Sequence, residues 1–377
     1  LENIEMKTNP LLAGVRVLDL SRLLPGPFCT LYFAQMGAEV IKIEEPNGGD
    51  YARALSPELF ALVNRGKKSV TLNLKDAGDV ACFKALVAEA DVVMESFRPG
   101  VMDKLGCGYE QLKAINPRLV YASLTGYGQT GPYALRPGHD INYRAYTGEL
   151  HQTGVANGDP ASGGFQVADL AGGALTCAVG ILGALLGARS SGIGSYVDVS
   201  MMDGTLALQV MTLATQRMMG SHVERGSDLL TGTLPNYRIY RCSDDRYIAV
   251  GAVEYKFFVE ICKAAERPDI LQLSPAPGKA GEPLLEALTA LFLTQPRDYW
   301  EARMAALDTC VTAVLDPSEA LQNEQVRARG MVVDDDGKPA YDLPIRFSGG
   351  HAQVGPAPDL GAENDRILEL LKMRTSA

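Results

Sequence analysis

An α/β fold, with a parallel sheet in a large domain and a smaller α+β domain after it, is predicted by three observations. Strand-like runs alternate with helix-like runs through the first half of the chain. A hairpin pattern flanked by helical segments replaces that alternation after about residue 225. The length, 377 residues, suits about two domains.

Residues 15–20, Val-Arg-Val-Leu-Asp-Leu, read as the first strand. Pro25-Gly26-Pro27 leads into a short helix over 28–36, which Gly37-Ala38 ends. Residues 39–43, 69–74, 91–95 and 119–124 are the next strands, with helical periodicity over 79–89. Strands alternating with helices imply βαβ units and a Rossmann-like parallel sheet. Such sheets bind ligands at the carboxyl ends of their strands. Ser21-Arg22, Glu44-Glu45, Ser96-Phe97-Arg98 and Thr125-Gly126 fall there. No Gly-x-Gly-x-x-Gly follows the first strand and no Walker loop occurs, so a nicotinamide, flavin or Walker-type nucleotide site is not indicated. Long helices follow at 171–188 and 201–219, with a strand over 195–200 between them. Residues 237–240 and 247–250 flank Asp244-Asp245 as a hairpin, and helical segments fill 254–328. A charged turn over 334–338 and a strand over 344–347 close the pattern. The expected division is a large domain over 1–200, a linker helix over 201–225, a small α+β domain over 226–330, and a segment over 331–377 returning to the large domain.

Composition narrows the function. The net charge is −10, which argues against nucleic acid as a partner. A few local Lys and Arg still suffice for an anionic small ligand. The seven cysteines are scattered, without a Cys-x-x-Cys or a Cys/His cluster. That pattern predicts free thiols in a reducing compartment, hence a cytoplasmic protein, and no zinc or other metal. The polar N-terminus predicts no signal peptide, and Met6 reads as the natural start, with residues 1–5 added ahead of it. Residues 171–188 lack charges and approach the length of a membrane span, but they are rich in Gly and Ala. A helix buried against other elements fits them better.

The chemistry gathers around Gly138-His139-Asp140-Ile141-Asn142-Tyr143, where one of only four histidines adjoins a carboxylate ahead of a helical run. Asp169 follows in Val167-Ala168-Asp169-Leu170-Ala171-Gly172-Gly173, also where a loop enters a helix. His titrates nearest neutrality, so a His and an Asp at helix starts suit proton transfer. By spacing alone, Asp140 and Asp169 equally suit helix caps. Asn64-Arg65-Gly66-Lys67-Lys68-Ser69, Lys75, Ser96-Phe97-Arg98-Pro99-Gly100 and Lys104 place cations where phosphate oxygens are held, or are simply solvated loop charges. Phe97 is positioned to stack on a base or pack along an aliphatic arm.

Several runs carry a resemblance. They are Leu12–Leu20 in numbers 12–20, Pro25-Gly26-Pro27, residues 37–44, 64–69, 95–100, 138–143 and 197–204. With these, in this order over about two thirds of its length, the chain resembles the family III CoA-transferase superfamily (CaiB/BaiF type), which also contains α-methylacyl-CoA racemases. In the transferase branch an Asp at the position of Asp140 is a nucleophile, passing through a mixed anhydride and a thioester. In the racemase branch a His precedes that Asp and a second Asp follows downstream, and His139 and Asp169 match. A Glu in a Glu-x-Lys-Phe run partners the His, and Glu254-Tyr255-Lys256-Phe257 matches.

The resemblance implies a two-base racemase or epimerase of 2-methylacyl-CoA thioesters in lipid metabolism, with branched-chain fatty acid, sterol and more polar acyl chains all open. His139 and Asp169 are then the opposed bases, Glu254 orients the imidazole, and the Asp140 backbone N–H stabilises the enolate. CoA, part of the substrate, is expected along Leu72, Asn73, Leu74, Lys75, Ser96, Phe97, Arg98 and Lys104, with the thioester at Gly138, Ile141, Asn142 and Tyr143. Met211, Met218 and Met219 either form a deformable acyl surface or an ordinary helix core. No cofactor, metal, membrane or nucleic acid is implied. An interlocked homodimer is, with each site built from the large domain of one subunit and the small domain of the other.

There are two departures. Glu149-Leu150-His151 replaces the apolar run that often follows Thr147-Gly148, implying a more polar substrate or a solvent-facing segment. Glu44-Glu45 stands where relatives often carry a basic residue that grips CoA phosphates. The rival readings are a CoA-transferase with Asp140 as nucleophile, and a non-catalytic acyl-CoA-binding protein.

Overall fold

The computed structural model describes residues 10–367; the expectation about Met6 lies outside them. The chain condenses into two compact units. The first comprises the described residues up to Glu149, Gly164–Leu208, and those from Ala328 onward. The second comprises Leu150–Gly163 and Gln209–Arg327.

The first unit is built on one six-stranded parallel sheet. Its strands are β1 (Arg16–Asp19), β2 (Glu39–Glu44), β3 (Lys68–Thr71), β4 (Val92–Glu95), β5 (Val120–Thr125) and β6 (Tyr196–Ser200). Their order is β3-β2-β1-β4-β5-β6. Val17 registers with Val40 on one side and Val92 on the other. The chain builds outward from β1 in one direction, then returns to build outward through β4 in the other. The reversal leaves a crevice beyond the carboxyl ends of β1 and β4, the place where open α/β sheets bind ligands.

The central strands β4 and β5 are buried along their whole length because both sheet faces are covered there. Phe33, Cys177 and Ile181 form part of the core on one face, and Phe83, Met102 and Leu112 on the other. Charged groups beneath the sheet are paired with one another. Asp19 meets Lys67 at 3.0 Å, and Lys42 meets Asp50 at 2.9 Å. Burial alone would raise the Asp19 pKa, but Lys67 and Lys42, with the Ser21 and Thr30 hydroxyls, hold it well below the carboxylate range. The same burial brings Lys67 down to about 8, opposed by Asp19.

Three expectations are corrected. β3 ends at Thr71 rather than Leu74. Asn73, Leu74 and Lys75 form the turn into the helix Ala77–Val87, whose N-cap is Asp76. The helix expected over 201–219 is two helices, Met201–Ala207 and Val210–Met219, because the chain passes from one unit to the other between Leu208 and Gln209. The strand expected over 344–347 is absent. Pro344 has no N–H for a ladder, and the Arg346 guanidinium is drawn to Asp342 and the Leu343 carbonyl. The late hairpin lies earlier, as β10 (Val332–Asp335) and β11 (Lys338–Tyr341), turning at Asp336 and Gly337 with φ of 55° and 80°.

The second unit carries the expected hairpin, β7 (Tyr237–Arg241) with β8 (Tyr247–Gly251), extended by β9 (Val311–Ala313) into an antiparallel sheet. Phe258, Leu288, Phe292 and Trp300 are in its core. The Trp300 indole donates to the Phe292 carbonyl at 3.0 Å.

Residues 168–191 are helical without a break and apolar enough in length and composition to cross a membrane. Cys177, Ile181 and Leu185 are buried, whereas Val179 and Leu186 are each 72% exposed. The expectation of a buried helix therefore holds for one face only. The first part, Ala168–Leu175, is wound wide, with i→i+5 bonding, a form often found at functional sites. Its glycines permit close approach to Met201–Ala207. A Cβ on Gly204 would stand 1.9 Å from the Gly172 carbonyl oxygen, and one on Gly172 would stand 2.5 Å from Thr205 Oγ1. Gly204→Ala is expected to destabilise the protein by about 3 kcal/mol or more through overpacking against backbone that cannot yield. A urea unfolding curve checks this; an unchanged midpoint would refute the packing argument.

Candidate active site

A cavity of about 920 Å³ opens in the first unit, in the crevice beyond β1, β4 and β5. The turn after β1 supplies Arg22 and Pro25, the turn after β4 supplies Ser96, Phe97 and Arg98, and the segment after β5 supplies Thr125 and Gly126. In a chain of net charge −10, the charged walls of this cavity are Arg22, Arg98 and Arg136 against the Asp169 carboxylate. Local cations in an acidic protein mark a site for an anion. Arg22 is held between aromatic rings, 4.9 Å from the centroids of both Tyr51 and Phe97, and donates to the Tyr51 hydroxyl at 2.9 Å. Phe97 is fixed in turn by its backbone N–H, which donates to Glu95 at 2.7 Å. Burial pushes the Glu95 carboxyl up to about 7.

His139 and Asp169 line this cavity together with Gly138, Asn142 and Tyr143. His139 is the N-cap of the helix Asp140–Thr147, and its backbone N–H donates to Asn142 Oδ1 at 3.0 Å. The Tyr143 hydroxyl donates to the Gly138 carbonyl at 2.6 Å, closing the turn. Only glycine fits there: a Cβ on Gly138 would lie 2.7 Å from the Tyr143 ring. Asp140 takes the first helical position, where a backbone N–H has no intrahelical acceptor.

The Asp140 side chain is turned away from this work. It is 8% exposed and does not line the cavity. Its Oδ1 accepts from the backbone N–H of Ala168 at 2.7 Å and of Asp169 at 3.2 Å. Its Oδ2 faces Arg144 Nη1 at 3.4 Å. Arg144 is anchored by Glu149, with Nε to Oε2 at 2.6 Å. Asp140 thus caps the helix that begins at residue 168, not its own. It places Asp169 at that helix start and sets a negative charge behind it. Burial, then repulsion from Asp140, push Asp169 up to about 7.

The sequence matches the model of CoA-transferase family III over residues 12–364. The chain belongs to CoA-transferase family III. It is 35% identical to alpha-methylacyl-CoA racemase of Homo sapiens over 327 residues, covering 85% of this chain and 82% of that one. It is also 36% identical to acetyl-CoA:oxalate CoA-transferase of Acetobacter aceti over 348 residues, 89% of each. A CAIB/BAIF family protein from Brucella suis has the same fold, with a TM-score of 0.85 and 30% identity over 96% of this chain and 99% of that one. Relatives of both reaction types match this chain, so membership fixes an enzyme of the family III CoA-transferase/racemase superfamily and leaves the reaction to be argued.

Within the family III fold, the residues singled out in the sequence do not all meet. Ser96, Phe97, Arg98, Gly138, His139, Asn142, Tyr143 and Asp169 share the cavity. Leu72 is buried beneath β3's end, and Asn73, Lys75 and Lys104 are exposed, none of them lining it. Ile141 is 48% exposed and likewise outside the lining. Glu254 lies in the second unit, exposed, as N-cap of Tyr255–Ala264. Tyr51, Arg136 and Met201 line the cavity without having been singled out. The sequence places Arg22 only at a strand end. The Arg136 guanidinium lies 3.8 Å from the centroid of the Tyr133 ring.

Both departures have structural explanations. Glu44 is buried and paired with Arg53 at 2.8 Å, and it also accepts from the Ser69 hydroxyl at 2.6 Å. Glu149 is the partner of Arg144. Neither carboxylate lines the cavity.

Proposed function

We propose that this protein is a racemase or epimerase of 2-methylacyl-CoA thioesters, working by two-base proton transfer through an enolate. The observation that carries this reading is the division of labour at the helix starts. His139 and Asp169 face the cavity, while Asp140 is spent on backbone N–H groups and Arg144. A nucleophile needs a carboxylate oxygen free to attack the thioester; a scaffold residue does not.

One base removes the α-proton and the other returns a proton to the opposite face. Asp169, held near neutrality at about 7, is suited to both states that the two directions demand. The Asp140 backbone N–H, at a helix start, is the donor for the enolate oxygen, a contribution typically worth about 3–4 kcal/mol. Arg22, Arg98 and Arg136 bind the phosphates of CoA, and Phe97 packs along it. No metal or cofactor is called for, because His139 and Asp169 supply both proton steps. We further propose a homodimer in which a partner copy covers apolar side chains such as Val179 and Leu186, and in which Glu254 orients the imidazole.

The second reading is a CoA-transferase using Asp140 as nucleophile. The identity to the acetyl-CoA:oxalate enzyme favours it. It requires Asp140 to leave its N–H donors during turnover. Proton NMR of a 2-methylacyl-CoA in deuterated water, without an acceptor acid, separates the two. Loss of the α-proton signal, abolished in the His139→Ala/Asp169→Ala double variant, is expected. No exchange with a series of 2-methylacyl-CoAs, together with an enzyme acyl adduct trapped by hydroxylamine, would overturn the racemase reading.

A further inference from the structure

His151 and His222 stand beside one another on the second unit, their ring centroids 6.0 Å apart. His222 Nε2 lies 2.8 Å from Glu224 Oε1. One potential ligand atom from each of these three residues lies within 4.8 Å of the others. No single stretch of sequence shows this cluster, because segments 71 residues apart form it.

The backbone around the three side chains is pinned in that register. Arg225 Nε donates to the His151 carbonyl at 2.7 Å. Another nitrogen of Arg225 donates to the Gly158 carbonyl. Gln152 Nε2 donates to the Val223 carbonyl at 2.9 Å, and Val223 itself is buried at 1%. Residues immediately beside His222 and Glu224 therefore clamp His151 and its neighbour from the other segment. The juxtaposition follows from backbone anchoring rather than from a fortuitous overlap of free side chains.

We propose that His151, His222 and Glu224 form a binding site for a divalent transition metal. The site is of the two-histidine, one-carboxylate kind, and none of its residues lines the cavity of His139 and Asp169. Imidazole donors select zinc, nickel or copper over magnesium and calcium. A tetrahedral zinc with bonds of about 2.0–2.1 Å requires ligand atoms about 3.3 Å apart. All three side chains are exposed, so the proposed ion would draw them together by rotation about their own bonds. Three protein ligands leave a coordination position for water. The bound ion would tie Leu150–Gly163 to the segment carrying His222, and so stabilise the second unit by mass action.

The test uses the full chain without an affinity tag, freed of metal by a chelator and titrated with zinc against a chromogenic competitor. One tight equivalent is expected, weakened about tenfold or more in His151→Gln and in His222→Gln and less in Glu224→Gln. His139→Gln should retain it in full. A rise in the unfolding midpoint on zinc addition, absent from the His151→Gln variant, is the second expected readout. Absence of a stoichiometric equivalent in the unaltered protein would overturn the proposal. So would binding unchanged in both histidine variants, which would place the zinc elsewhere, for instance on the exposed Cys310.

Discussion

Asp169→Asn is expected to lower α-proton exchange of the enantiomer that Asp169 deprotonates by about 10²–10⁴-fold while raising the unfolding midpoint at pH 8. The activity loss follows from removing one of two positioned acid–base groups. The stability gain follows from the pKa. Burial and the neighbouring Asp140 push Asp169 up to about 7, so the folded protein holds its proton more tightly than the unfolded chain does. Such a group withdraws stability as pH rises from the ordinary carboxylate range towards about 7, and an amide at the same place escapes that loss. The variant's advantage in midpoint should therefore be present at pH 8 and shrink at pH 4.

The same pKa dictates the pH profile of the unaltered enzyme. Asp169 acts as base only when ionised, so exchange of the enantiomer it deprotonates should fall about tenfold per pH unit below about 7. In the other direction it must begin protonated, and the rate should fall above that value. Exchange rates of separate enantiomers between pH 5 and pH 9 check this. Identical profiles for the two enantiomers would sink the opposed-base assignment.

Much of the fold was legible because the strands carry it locally. Val15, Val17, Val92 and Val93 are buried in β1, β4 or beside them, and a fully covered parallel strand must be a short apolar run. The turn chemistry was less legible. Residues 72–75 look like the continuation of β3, yet Asp76 caps the next helix and ends the strand early. The break after Leu208 depends on which compact unit each helix joins, information that no local period contains. At the site, His139 and Asp169 stood out as rare proton carriers at helix starts. Arg22 did not, because its significance lies in the rings of Tyr51 and Phe97, brought to it by the fold, and Arg136 did not, because the cavity it lines is assembled from distant segments. The pair of His151 and His222 escaped for the same reason: metal-ligand spacing is readable only when the ligands are near neighbours in sequence.

Asp140→Asn distinguishes a scaffold residue from a nucleophile more sharply than alanine does. The asparagine Oδ1 can still accept from the N–H groups of Ala168 and Asp169, now as a neutral acceptor, weakening each bond by about 1 kcal/mol. Arg144 keeps its partner Glu149, so the substitution does not strand a buried cation. Alanine would orphan both N–H groups, and its effect would mix lost capping with any lost chemistry. For the racemase reading, exchange in the asparagine variant should fall by less than about tenfold. Its Asp169-dependent limb should also move to lower pH, because the repulsion that helps raise Asp169 has been removed. For the transferase reading, an amide cannot form the anhydride, and activity with any acceptor acid should vanish. Exchange lost entirely in Asp140→Asn, with the fold and CoA binding retained, would return Asp140 to the centre of the chemistry.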